Sequence, residues 1–406
     1  MNCVSTVRIS DKKPSFQKNS VSRIRYMPDP TPTLFIDHAP AMGGAEGVLL
    51  TVCKHLGKNR WRPVLACHGT LLEKAQRLGL DAHPVTLPRL RRSPRALMDW
   101  WAGVQTLSRL AKRTPARLMY ANTVRSMFYA LPAARLARLP LVWHFHDFWL
   151  SESRPRRLWA DRLLKQLLCA AATRVIANSH ATAAHLPSGC NPVVVHNAID
   201  IAAFDPTLDG TPFRARYGIP AGVPVAGMVG RLRPWKGQAR FLRAMARVAE
   251  ALPEARFLIA GGAIFGVQDD YEAELHRLAA ELGLAGRVVF TGHLDDVRPA
   301  LAALDVFVHP GDPEPFGLVN LEAMAMRKPV VAFAHGALPE IVVKGKTGLL
   351  VPPGDEAALA EAVIGLLRKP QRARELGAEG RARAARCFSV ERMISQIEQV
   401  LAEVAG

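Results

Sequence analysis

From Thr33 onward, short apolar runs alternate with longer stretches whose apolar residues recur every three to four positions. Leu34–Ala39, Pro63–Cys67, Leu118–Ala121, Leu141–Phe145, Val175–Ala177 and Val193–His196 are predicted as buried strands. Glu46–Leu56 and Arg125–Ala137 are among the helices predicted between them. The segment DPTLDGTPFRARYGIPAG around Pro206 interrupts the alternation, which resumes with Val223–Val229, Phe257–Ala260, Val288–Thr291, Val306–His309, Val330–Phe333 and Leu349–Val351. Strand–helix–strand repeated in two blocks predicts an α/β chain with two doubly wound parallel sheets, each covered by helices on both faces. The expected domains are residues 31–205 and 206–385, with residues 386–406 as a C-terminal helix packing back toward the first domain. Such sheets bind ligands at the carboxyl ends of their strands, and two of them facing each other put the natural site in the cleft.

A length of 406 residues is too great for one core, in keeping with two domains. Hydrophobic content of 49% and charged content of 22% exclude a mainly disordered chain. No uncharged apolar run approaches the roughly 20 residues of a membrane-spanning helix. Residues 1–30 are polar and carry six basic groups without an apolar core, so they are expected to be a disordered extension rather than a secretory signal. Six cysteines lack both metal-ligand spacing and the density of a disulfide scaffold, so reduced thiols in a cytoplasmic compartment are expected.

Charge divides the chain. Residues 1–205 hold 29 basic and 12 acidic groups, a net of +17; the remainder hold 24 and 23, a net of +1. Part of the surplus lies in two Trp-bearing segments. One contains Arg89, Arg91, Arg92 and Arg95 and leads into Leu97–Lys112, where Leu97, Trp100, Val104, Leu107 and Ala111 recur at helical spacing beside Trp101. The other places Arg154, Arg156, Arg157, Arg162 and Lys165 around Leu158, Trp159, Leu163 and Leu167. Basic amphipathic helices with Trp suit an anionic membrane surface, although the same apolar stripe also serves as a core face.

Four segments carry candidate chemistry. GRLRPWKG (Gly230–Gly237) follows the first strand of the second block and precedes a helix, placing Arg231 and Lys236 where two cations suit a diphosphate. EPFGLVNLEAMA (Glu314–Ala325) puts Glu314 in a loop, Gly317 at a sharp turn and Glu322 on the second turn of the following helix. The carboxylates suit sugar hydroxyls, and the backbone N–H groups of the helix start suit phosphate oxygens. In AMGGAE (Ala41–Glu46), Gly43 and Gly44 let the backbone approach a ligand, as they also would in a plain strand-to-helix turn. In HFHD (His144–Asp147), alternation sends His144 and His146 to one side, His146 nearer the cleft. GxGxxG, GxxxxGK[ST], HExxH and Cys/His arrays are all missing, which disfavours a dinucleotide dehydrogenase, a P-loop NTPase and a metal centre.

Together these segments resemble the retaining glycosyltransferases of family 4, which have the GT-B fold. GRLRPWKG is similar to that family's G-R-x-x-x-x-K-G loop, Glu314 and Glu322 to its E-x7-E motif, GGAE to its glycine loop, HFHD to its His-bearing strand end, and VHNAID (Val195–Asp200) to its V-x-N-G-x-D segment. Two departures are Ala198 in place of Gly, and Gly336–Ala337 in place of Gly–Gly. The resemblance runs from about Thr33 to about Leu401. It implies a hexosyltransferase taking a UDP- or GDP-linked sugar, with a lipid-linked, polysaccharide or lipopolysaccharide glycan as acceptor. Arg231 and Lys236 would neutralise the diphosphate, Glu322 would bind the ribose, and Glu314 would hold a hydroxyl of the transferred sugar. Phe316, Gly317 and Leu318 would offer backbone N–H groups, Gly43 and Gly44 would approach the diphosphate, and His146 would contact the sugar. Retention without an enzymic nucleophile, and no metal or other cofactor, follow from the same resemblance, as does acceptor binding by the first domain. Its basic surface then predicts peripheral attachment to the inner face of the cytoplasmic membrane.

Two other readings remain open on the sequence. A nucleotide-sugar epimerase would share the fold. A nucleic-acid-binding protein would share the charge, but no recognised nucleic-acid motif is present and stacking aromatics are not interleaved with the cations, so no nucleic-acid partner is expected.

Overall fold

The computed structural model describes residues 30–89, 93–151, 154–262 and 270–406. Arg91 and Arg92, and residues 1–29 of the expected extension, lie outside the described residues. The first sheet contains β1 (Thr31–Ile36), β2 (Trp61–Cys67), β3 (Asp81–Pro84), β4 (Leu118–Ala121), β5 (Leu141–Phe145), β6 (Arg174–Ala177) and β7 (Val193–Val194). Their spatial order is β3-β2-β1-β4-β5-β6-β7. The second sheet contains β8 (Val225–Val229), β9 (Arg256–Ala260), β10 (Val288–Phe290), β11 (Val306–His309), β12 (Val330–Phe333) and β13 (Gly348–Val351), in the order β10-β9-β8-β11-β12-β13. Every neighbouring pair runs parallel. The chain therefore forms two doubly wound α/β domains, and each sheet reverses its strand order once, between β1 and β4 and between β8 and β11.

Burial on both faces explains the near-continuous apolar strands. Leu34, Phe35 and Ile36 of β1 are wholly buried, and their side chains divide between two clusters on opposite sides of the sheet. One of those clusters is completed from the far end of the chain. The helix Val390–Ala405 sends Val390, Met393, Ile394, Ile397, Val400 and Leu401 into the first domain's core. Glu398 of that helix accepts a hydrogen bond from the Gly57 N–H at 2.8 Å.

Two expectations are corrected. Lys165 is not a surface cation. It lies 1% exposed, 2.7 Å from the Asp161 carboxylate, with its ammonium also donating to the Phe148 and His185 carbonyls. Its helix, Leu158–Ala171, turns this position inward one turn after Asp161, while Arg162 stays exposed. The cysteines are not all separate thiols either: Cys169 and Cys190 form a disulfide where the end of that helix meets the turn Ser188–Cys190, their Cα atoms 5.4 Å apart. No helix among the described residues is long and apolar enough to cross a membrane.

Removing Asp161 would leave a buried ammonium uncompensated, which typically costs about 3–5 kcal/mol. Asp161→Ala should therefore lose about 3 kcal/mol in urea denaturation, and pairing it with Lys165→Met should recover much of the loss. Wild-type stability for Asp161→Ala would show that the ion pair does not hold this helix.

Candidate functional site

In the second domain, the loop after β8 carries Arg231 exposed and Lys236 partly buried. Gly237 ends it with φ 82°, and a Cβ there would lie 2.2 Å from the Pro310 carbonyl oxygen, so only glycine lets this turn enter the helix Gln238–Ala251. That contact sets the loop after β8 against the loop after β11, at the point where strand order reverses. Across it the Lys236 ammonium donates to the Glu314 carboxylate. His309, the last residue of β11, stands with Nε2 3.3 Å from the same carboxylate. Burial pushes the Glu314 carboxyl up, but Lys236 and His309 outweigh it and hold the group well below the usual carboxylate range.

Gly317 then turns with φ 94° into the helix Leu318–Ala325, and a Cβ on it would meet Asn320 at 2.8 Å and Glu314 at 3.3 Å. The helix start has no side-chain cap, and its positive end lies at Gly317, whose Cβ position is 3.3 Å from the Glu314 carboxylate. Phe316 is buried in the domain core. Glu322, one turn further on, lines a cavity of about 440 Å³ together with Phe204, Asp295 and Arg298. Burial alone pushes its carboxyl up to about 7. Gly336, at φ 55°, packs against the backbone of Glu314, where a Cβ would come within 2.6 Å of its carbonyl oxygen. Ala337 donates its N–H to that carbonyl at 3.0 Å.

The first domain supplies the opposite wall. Gly43 precedes the helix Gly44–His55, and a Cβ on Gly43 would sit 2.7 Å from the Glu46 carboxylate. The Cβ position of Gly44 is 3.6 Å from Leu318, so the glycine loop meets the start of the second domain's helix. His146 follows β5 and is 6% exposed, its ring centroid 3.8 Å from that of His144. Burial pushes His146 down to about 3, so it is a neutral imidazole at physiological pH. Its Nε2 lies 3.1 Å from the Asn122 side-chain oxygen, and the Asn122 amide donates to Asp37 at 2.7 Å.

The structure thus brings Lys236, Glu314, Gly317, Leu318 and Gly44 together. It puts Glu322 in a cavity that it shares with Phe204, Asp295 and Arg298, Arg231 on the loop surface, and His146 in the first domain's wall. Sequence reasoning missed His309, Asp37 and Asn122, whose signal was a polar residue at or just past the carboxyl end of a buried strand. It also missed Glu340, which ties the domains together. The Glu340 carboxylate accepts from the backbone N–H groups of His180 and Ala181 and lies 2.8 Å from His196 Nε2. Among the described residues, His180, His196 and Glu340 are the group whose ligand-type atoms lie within 4.8 Å of one another, but that carboxylate is already engaged in these hydrogen bonds.

The raised Glu322 carboxyl has a consequence for stability. With a folded value near 7 against 4.5 unfolded, the charged form is penalised, and stability falls as pH rises through this window. Glu322→Gln should therefore be more stable than wild type at pH 8, by roughly 3 kcal/mol, and close to it at pH 4. A difference independent of pH in urea denaturation would mean that this carboxyl is not held protonated by burial.

Residues 42–203 match the model described as Glycosyltransferase Family 4, and residues 210–383 match Glycosyl transferases group 1. The chain is 32% identical over 288 residues to the lipopolysaccharide core biosynthesis mannosyltransferase LpsB of Rhizobium meliloti, an alignment spanning 70% of this chain and 79% of that protein. It is 36% identical over 234 residues to a GDP-mannose-dependent monoacylated α-(1-6)-phosphatidylinositol monomannoside mannosyltransferase of Corynebacterium glutamicum, spanning 55% of this chain and 57% of that one. Among solved structures, Anabaena Alr3699/HepE in complex with UDP-glucose superposes with a TM-score of 0.78 at 29% identity, covering 92% of this chain and 99% of that one. The two facing Rossmann-like sheets, the loops at their switch points and these similarities lead to one assignment: the chain belongs to the family 4 glycosyltransferases of GT-B fold.

Proposed function

We propose that the protein transfers a hexosyl group, with mannosyl the first candidate, from a nucleotide-diphosphate sugar to a lipid-linked or lipopolysaccharide glycan, with retention and without a metal ion. The reading rests chiefly on the Lys236–Glu314–His309 cluster beside the uncapped helix start. The names of the two relatives support mannose and a lipid-borne acceptor, while the UDP-glucose complex of the structural neighbour leaves the donor base to experiment.

In this reading Arg231, Lys236 and the N–H groups of Phe316, Gly317 and Leu318 balance the diphosphate as it leaves, and Gly43 and Gly44 close on it from the first domain. Glu314, kept ionised by its neighbours, accepts a hydrogen bond from a hydroxyl of the transferred sugar. Glu322 binds the ribose hydroxyls. As the bond from the anomeric carbon to phosphate oxygen breaks, the acceptor oxygen bonds to that carbon from the same face, and its proton passes to the departing phosphate. Neutral His146 contacts the sugar, its dipole rather than a cation facing the charge that develops there. Lys236→Ala should then lower turnover about a hundredfold. Activity should survive EDTA; full activity of the Lys236 variant, or loss with chelator and recovery with Mg²⁺, would overturn the electrostatic assignment.

The first domain gives the acceptor side a membrane-facing character. Trp101 is 44% exposed, Trp159 66%, Leu163 50% and Leu167 58%. Trp101, Leu136, Leu164 and Leu167 line an open apolar groove of about 640 Å³ with Arg135 at its edge. Arg154, Arg156, Arg157 and Arg162 stand exposed alongside. Shallow Trp insertion plus charge suits reversible docking on an anionic surface. Changing those four arginines to Gln should weaken sedimentation with phosphatidylglycerol vesicles while nucleotide binding persists. Equal pelleting with neutral and anionic vesicles would reject charge-driven docking.

A further inference from the structure

We propose that Asp37, acting through Asn122, is a positioning residue that fixes His146 as its Nε2–H tautomer and leaves Nδ1 as a lone-pair acceptor for a sugar hydroxyl. The inference rests on the sugar-contacting role given to His146 above and adds how that role is set.

Asp37 directly follows β1 and is fully buried, its Oδ1 accepting the Ala39 N–H at 2.8 Å. Its Oδ2 accepts from the Asn122 amide nitrogen at 2.7 Å. That same nitrogen reaches the Ala45 carbonyl at 3.1 Å, an atom that can only accept. Two acceptors on one side fix which way the Asn122 amide faces, so its oxygen must point at His146 Nε2, 3.1 Å away. An amide oxygen cannot donate, and therefore Nε2 carries the proton. Nδ1 is then the unprotonated nitrogen. It is buried and has no hydrogen-bond partner among the described residues. An orphaned acceptor on a 6%-exposed imidazole just past the carboxyl end of β5 lacks the donor that a buried nitrogen ordinarily has, and in the proposed reading a sugar hydroxyl supplies it. The chain also crosses the switch point of the first sheet, from β1 to β4 to β5, so the strands themselves hold it in register.

Asp37→Asn reverses the logic at one atom. The new amide oxygen would keep the Ala39 N–H, so its NH₂ would face the Asn122 NH₂, two donors in opposition. Asn122 relieves this by flipping, which gives up its hydrogen bond to the Ala45 carbonyl but lets its oxygen accept from the new amide, and which turns its own NH₂ toward His146 and demands the Nδ1–H tautomer. The test is ¹⁵N-histidine NMR on the whole protein, with the His146 signals assigned by loss in His146→Gln. Wild type should show protonated Nε2 and unprotonated Nδ1; Asp37→Asn should show the reverse. The variant should also lose about tenfold or more in kcat for glycosyl transfer while keeping wild-type affinity for UDP or GDP alone. Protonated Nδ1 in the wild-type protein overturns the proposal even if the variant does not fold. So does an unchanged tautomer in folded Asp37→Asn, whatever its activity. A wild-type protein inert toward every nucleotide sugar would instead remove the reading under Proposed function, and the tautomer measurement would still decide the positioning.

Discussion

The candidate site depends on a helix at the end of the chain that packs into the other domain. Val390–Ala405 leaves the second sheet and buries six apolar side chains in the core of the first. Transfer of that much apolar surface from water is worth several kcal/mol, at roughly 1.5–3 kcal/mol for each large side chain fully buried. It holds the carboxyl ends of two separate parallel sheets toward a common cleft. The Glu340 carboxylate adds a polar tie to His196 and the His180 and Ala181 N–H groups, and Ser179 adds another by donating to the Pro315 carbonyl at 2.6 Å. Pro315 adjoins Glu314, so the tie between domains also anchors the loop that carries the site's central carboxylate.

Much of this was legible in the sequence because buried parallel strands leave a strong signal. Leu118–Ala121, Leu141–Phe145, Val306–His309 and Val330–Phe333 occupy the predicted residues. β3 escaped notice because Asp81–Pro84 is an edge strand, charged at one end and closed by proline, with no buried run to betray it. The misreading of Lys165 has a similar cause. Charge and spacing alone do not say that Asp161, one turn earlier, will be buried with it. The disulfide depends on where a helix end and a distant turn meet, which 21 residues of separation do not reveal.

The candidate site was legible as a set of motifs and illegible as a circuit. Arg231, Lys236, Glu314 and Glu322 stand out because charged residues follow buried strands at fixed distances. His309, Asp37 and Asn122 occupy comparable positions, yet their significance lies in hydrogen bonds between strands that are neighbours only after folding. β1 and β4 lie side by side although about eighty residues separate them, and the Asp37–Asn122 contact joins those two strand ends.

Burial treats the carboxyls around the cleft unequally, and this bears on how charge would be handled there. Glu322 and Glu46 are each pushed up to about 7, Glu322 by burial alone and Glu46 by burial together with the nearby Asp37. Glu314 is buried too, but Lys236 and His309 keep it ionised. Lys236 and Glu314 together carry no net charge, so in the proposed reaction an arriving diphosphate would gain from Lys236 only by sharing the ammonium with the carboxylate. In the proposed reaction that sharing would let Lys236 shift toward the phosphate as its charge grows, while the Glu314 carboxylate, partly released, turns its free lone pairs to the sugar hydroxyl. In that reading the exposed Arg231 and the helix start would supply the attraction needed before the shift. The proposed division of labour between two cations then follows from their surroundings: the solvated one would draw the donor in, and the paired one would act most strongly when the leaving group is most charged.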